Sequence, residues 1–205
     1  MESPVRRATT RATPITPFAP VRAWLRFPAW LVAGVLVLVT LAIYWPATHC
    51  DFVNLDDDQH VTSNLLVQKG LTREGIGWVF LHPVPDNWHP LTALSHMAAC
   101  QVFGLDPWGH HLANVVLHAL NAGLVFLLLT RMTGATWRSV LVAALFAIHP
   151  LRVESVAWVT ERKDVLSAFF GLLALIAYAR YVEVQSLESK VQSPKMGVQS
   201  LKSKV

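Results

Sequence analysis

The chain has 205 residues, 53% of them hydrophobic and only 15% charged, where a soluble domain carries about 25% charged residues. The shortfall excludes an ordinary soluble globular protein and points to an all-α integral membrane protein. A net charge of +4 does not signal nucleic-acid binding. Five of the seventeen basic residues lie before residue 27 and five after residue 179, so the excess belongs to the two ends.

Residues 1–28 combine five prolines and five arginines with no apolar period, and are expected to form a basic, disordered cytosolic tail. Residues 29–47 carry no charge and match the ~20 residues needed to cross a hydrocarbon core of ~30 Å, giving a first transmembrane segment. A polar, tryptophan-bearing loop follows over 48–109. It holds seven of the thirteen acids but only Lys69 and Arg73 as basic residues, and is long enough to contain short helices. Residues 110–130 read as a second span. Residues 138–150 read as a third, too short to cross in the usual way unless tilted or extended by its flanks. A second polar loop over 151–164 leads to a fourth span at 165–182. From Val184 three seven-residue units beginning VQS form a low-complexity tail over 183–205, expected to be disordered. With the N terminus in the cytosol, inner segments hold twelve basic residues and the two outer loops five, so both loops are assigned to the outer side.

Three groups of residues carry candidate chemistry. The run Asp56-Asp57-Asp58 follows the first span. Adjacent carboxylates bind a divalent cation, or serve as a general base whose neighbour raises its proton affinity; the alternative is a solvated acidic turn. On the second span Asn114, His118 and Asn121 fall at i, i+4 and i+7, with His110 one turn earlier. This polar stripe must face protein or a watery cavity, either joining helices or touching a ligand. The stretch HPLRVESVAWVTERKD, if helical after Pro150, puts Glu154, Trp158 and Glu161 on one face beside Arg162 and Lys163. Such cations at an outer boundary hold phosphate or anchor lipid headgroups. Eight of nine histidines map to the outer loops or their edge, yet none has the HxxxH or HExxH spacing of a zinc site, so no zinc site is expected among them and a divalent cation is open only at Asp56 and Asp57. Cys50 and Cys100 share the outer loop, where oxidising conditions permit a disulfide; two unpaired thiols are the alternative.

The blocks FVNLDDDQHV, NWHPLTALSHMAACQVFGLDPWGHHLANVVLHALNAGLVFLLL and LFAIHPLRVESVAWVTERKDVLSAFF resemble, in order and spacing, the N-terminal part of the transmembrane and tetratricopeptide-repeat (TMTC) proteins and their bacterial relatives. These group with the protein O-mannosyltransferases in the GT-C class of membrane glycosyltransferases. The resemblance covers roughly residues 29–182. It implies a many-helix enzyme that transfers a sugar, mannose-like, from a polyprenyl-phosphate donor to a protein hydroxyl or other acceptor on the outer side. The paired acidic motif of that pattern falls on Asp56 and Asp57, one of them the expected catalytic base. Charge and placement add Arg162, Lys163 and Glu154 as expected donor-phosphate or acceptor contacts. His89, standing where eukaryotic members tend to carry arginine, is added with them.

Family members continue through further spans into helical repeats, so the chain is expected to be an N-terminal fragment, inactive alone, of an enzyme in a bacterial inner membrane. The alternative is a non-enzymatic membrane bundle that binds a partner or lipid.

Overall fold

The computed structural model describes residues 28–82 and 88–202, with side chains to residue 188; the expected basic tail over 1–27 lies outside the described residues. Among them the fold is entirely helical. Helix α1 (Ala29–Tyr44) ends in a 3-10 turn (Trp45–His49) that begins with Pro46 in its first turn, where a missing N–H costs nothing. The long loop then folds into a helical cap. A short π-turn (Asp58–Thr62) precedes α2 (Leu65–Gln68), α3 (Arg73–Leu81) and α4 (Pro90–Phe103). Asn64 and Thr72 cap α2 and α3 by accepting the N–H of Val67 at 3.2 Å and of Gly75 at 3.1 Å. Gly104, at φ 63°, ends α4 in a conformation other residues resist.

Helix α5 (Pro107–Thr133) starts at a cap from Asp106 and stops at left-handed Gly134. Next come α6 (Thr136–Ile148), the short α7 (Arg152–Ala157) and the long α8 (Arg162–Lys202). Helix α5 is the hub, packing against α1, α4, α6, α7 and α8. Three helices, Ala29–His49, Pro107–Thr133 and the Arg162–Glu188 part of α8, are long and apolar enough to cross a bilayer. The chain is an integral membrane protein. Their outward faces carry Trp30, Val35, Leu38, Leu173 and Tyr178, large apolar groups exposed in the isolated chain as lipid-facing positions must be.

The thirteen residues of α6 span only about 20 Å at 1.5 Å each, short of the ~30 Å core. Its direction is nonetheless fixed. Contacts between α5 and α8 pair residues 110 with 162, 121 with 165 and 131 with 183, so the two helices run parallel and α6 carries the chain back between them.

Two expectations need correction. The stretch after Pro150 is not one helix: α7 stops at Ala157, Trp158 turns extended at φ −87°, ψ 124°, and Glu154 and Glu161 share no helical face. The break is held by side chains that compete for its backbone, because Asn114 Nδ2 donates to the carbonyl of Trp158 at 2.9 Å and Asp57 accepts the N–H of Thr160 at 2.9 Å. Second, the backbone of α8 runs as helix through the VQS units to Lys202 rather than ending near residue 182.

Candidate functional site

The three aspartates, adjacent in sequence, are separated by the fold. Asp57 is completely buried. Its Oδ2 accepts the N–H of Val53 at 2.9 Å, while Oδ1 accepts both the N–H and the hydroxyl of Thr160, 103 residues away. Asp57 therefore joins the cap to the α7–α8 link. Asp56, half-buried, points the other way into a pocket of about 60 Å³ that it lines with His60, His89, Thr92, Ala93, Thr160 and Lys163. A single α-type turn entering the π-turn accounts for the placement: the N–H of His60 donates to the Asp56 carbonyl at 3.0 Å, so the two residues stand one turn apart and line the same pocket.

Burial pushes the His60 imidazole below its ordinary range. The carboxylate of Asp56 opposes that shift and the ammonium of Lys163 adds to it. A neutral ring beside an ionisable carboxylate and a cation is a setting for proton transfer. Lys163 is held by Glu161, Nζ to Oε1 at 2.6 Å, with about a third of its side chain still exposed.

His89, Thr92 and Lys163 also belong to a second, larger cavity of about 570 Å³. Its other walls include Trp88, Leu91, Leu166 and Phe170, so a mainly apolar groove along α8 opens from the polar pocket.

Arg162 does not join them. Its guanidinium is fully buried and donates to Asn114 Oδ1 at 2.8 Å, to the carbonyl of His110 at 2.7 Å and to that of Ser95 at 3.2 Å. It ties α4, α5 and α8 together, and its expected contact with a donor phosphate is corrected to a structural one. Glu154 is exposed on α7 and forms no part of either cavity wall. The polar stripe bonds to neighbouring elements: besides Asn114, Nε2 of His118 donates to the carbonyl of Ala147 at 2.9 Å and Asn121 Nδ2 to that of Val165 at 2.8 Å. His110 donates through Nε2 to the Gly104 carbonyl at 3.0 Å.

A divalent cation shared by Asp56 and Asp57 does not fit, because the two Thr160 donors occupy Oδ1 of Asp57 and the residue is closed to solvent. Among the described residues no three His, Cys, Asp or Glu side chains converge as metal ligands. Cys50 is exposed and Cys100 buried, and both are free thiols; burial raises Cys100 above its usual range. Sequence reasoning missed His60, Thr92 and Thr160. His60 was signalled by its i+4 spacing from Asp56, whereas Thr160 meets the acidic turn only in the folded chain.

Fold and site together define an all-helical membrane protein with an acidic pocket, capped by short helices, that opens onto an apolar groove. No family model matches the chain, and no solved structure does. Among curated proteins it is similar to protein O-mannosyl-transferases. It is 37% identical over 95 residues to tmtc2 of Xenopus laevis and 32% identical over 104 residues to TMTC2 of Homo sapiens. With human TMTC3 it shares 28% identity over 152 residues, 71% of this chain. These alignments cover 11%, 12% and 16% of the relatives, so the chain spans less than a fifth of their length.

Proposed function

We propose that this chain carries the acidic pocket of a GT-C membrane glycosyltransferase, which moves a mannose-like sugar from a polyprenyl phosphate to a protein hydroxyl or other acceptor. The observation that carries the reading is the shared wall of His89, Thr92 and Lys163 between the Asp56 pocket and the apolar groove. The names of the relatives supply the reaction class.

In this reading the groove receives the prenyl chain, and Lys163, released from Glu161, meets the phosphate as a point charge. Asp56 takes the proton of the acceptor hydroxyl while its oxygen bonds to the anomeric carbon. The bond from that carbon to the phosphate oxygen breaks, and the phosphate leaves with the electron pair. His60 and His89 complete the polar wall, and Asp57 positions Asp56 through the turn they share. The cap lies on the outer side and the N terminus in the cytosol, as the distribution of Lys and Arg supports. A bacterial inner membrane and an incomplete, N-terminal piece of the enzyme belong to the same reading and rest on the resemblance of the three sequence blocks.

The test is Asp56→Asn at the aligned position of a full-length relative, with sugar transfer and membrane insertion measured separately. Transfer should fall by at least 100-fold, the scale of one general base, with insertion unchanged. Transfer within threefold of the parent would refute the assignment.

A further inference from the structure

A third cavity, also of about 570 Å³, lies apart from the acidic pocket and its groove and shares no residue with either. Val142, Leu145 and Phe146 of α6 and Leu151 form its apolar floor, and His149 and Arg152 its polar end. The Arg152 guanidinium sits 4.8 Å above the Phe146 ring, and among the described residues no carboxylate lies within ion-pair distance of it. The N–H of Leu151 donates to Nδ1 of His149 at 3.3 Å, which makes Nδ1 the acceptor and leaves Nε2 as the ring's donor. Two donors, one a permanent cation, thus stand at the end of an apolar groove. The same helix exposes Leu141, Val142, Leu145 and Ile148 beside it.

We propose that this groove binds an anionic membrane phospholipid, its headgroup phosphate held by Arg152 and Nε2 of His149 and one acyl chain lying along α6 against Val142, Leu145 and Phe146. Charge complementarity selects the occupant. A cation unpaired by protein and raised on an aromatic ring at the end of a bilayer-facing helix finds its counter-ion in the lipid phosphate. Guanidinium also matches phosphate geometrically, through two parallel N–H donors. The apolar floor adds what a free anion cannot use.

The experiment is native mass spectrometry of the purified full chain with phosphatidylglycerol and with phosphatidylcholine. Phosphatidylglycerol should be retained in preference, and Arg152→Gln should reduce that adduct about fivefold, the factor for one cation at an anionic surface. Arg152→Lys should retain more of the adduct than Arg152→Gln, which guards against loss of the fold, and Lys69→Gln, an exposed cation of the cap outside the cavities described, should leave it unchanged. Equal retention of the two lipids, or an unchanged adduct in Arg152→Gln, overturns the proposal. So does displacement of the lipid by millimolar inorganic phosphate, which would mark a free-anion site, or a dimer whose formation excludes lipid, which would mark the groove as a contact between copies.

Discussion

Asp56 and Asp57 are chemically identical neighbours, and the structure requires opposite responses to the same substitution. Asp57→Asn keeps one carbonyl oxygen for the two Thr160 donors but places an amide N–H₂ against the N–H of Val53, now 2.9 Å from Oδ2. One charge-assisted bond of about 1.5–3 kcal/mol becomes a donor–donor contact, and the two remaining bonds lose their ionic character. The Asp57 side chain is closed to solvent whereas Val53 is partly exposed, so the cost falls mainly on the buried carboxylate and its Thr160 donors. We expect a loss of about 3–4 kcal/mol, which at roughly 2–4 °C per kcal/mol for a chain of this size lowers the melting temperature by about 6–16 °C. Asp56→Asn, whose side chain faces the pocket, should shift it by less than about 2 °C. Thermal unfolding of both variants in the same detergent, followed by tryptophan fluorescence, decides the matter. Equal melting temperatures for the two variants would refute the division of roles.

Asn114→Leu should destabilise the chain more than Asn121→Leu. The first removes two donated bonds and the acceptor of Arg162 Nε, the second one donated bond worth about 0.6 kcal/mol inside a bundle; detergent melting curves rank them. His96 is buried with no hydrogen-bonding partner for either ring nitrogen among the described residues, and burial beside Arg162 holds its imidazole well below the ordinary range. Because the unfolded ring takes up a proton near pH 6.5 while the folded ring does not, stability present above that pH is lost on acidification. His96→Phe should reduce the acid dependence between pH 6.5 and 5 by up to about 1.4 kcal/mol per pH unit, read from melting at a series of pH values. Gly109→Ala should cost about 1–3 kcal/mol, since a Cβ there would meet the body of the Phe103 ring at 2.2 Å; Gly77→Ala, with nothing nearby, is the control in the same assay.

The spans were legible because lipid leaves a crude signature: uncharged runs of sufficient length, bounded by polar loops. The polar stripe of α5 was legible for the same reason, since Asn114, His118 and Asn121 repeat at helical spacing where lipid would penalise them. What could not be read were partnerships across the chain. Nothing in DDDQH says that the middle carboxylate meets Thr160 and the first faces a cavity. Nor does ERKD reveal that Arg162 turns inward to three carbonyls while Lys163 turns to the pocket. Charge alone grouped those two cations; burial separates them. The helix expected across residues 151–161 failed because propensity is a local quantity, whereas the carbonyls of Trp158 and Val159 are claimed by Asn114 more than forty residues earlier.

The bond between Asp57 and Thr160 also sets an order of events during synthesis. The acidic turn leaves the ribosome early, but the groups that fix its shape follow 103 residues later, together with the helix that carries Lys163. At 5–20 residues per second this is an interval of about 5–20 s in which the cap exists without its anchor. A nascent chain halted at Ile148 would present the aspartates on an unfastened loop. Maturation of the pocket is thereby tied to arrival of α8, so the carboxylates acquire their separate environments only once the groove beside them has been built.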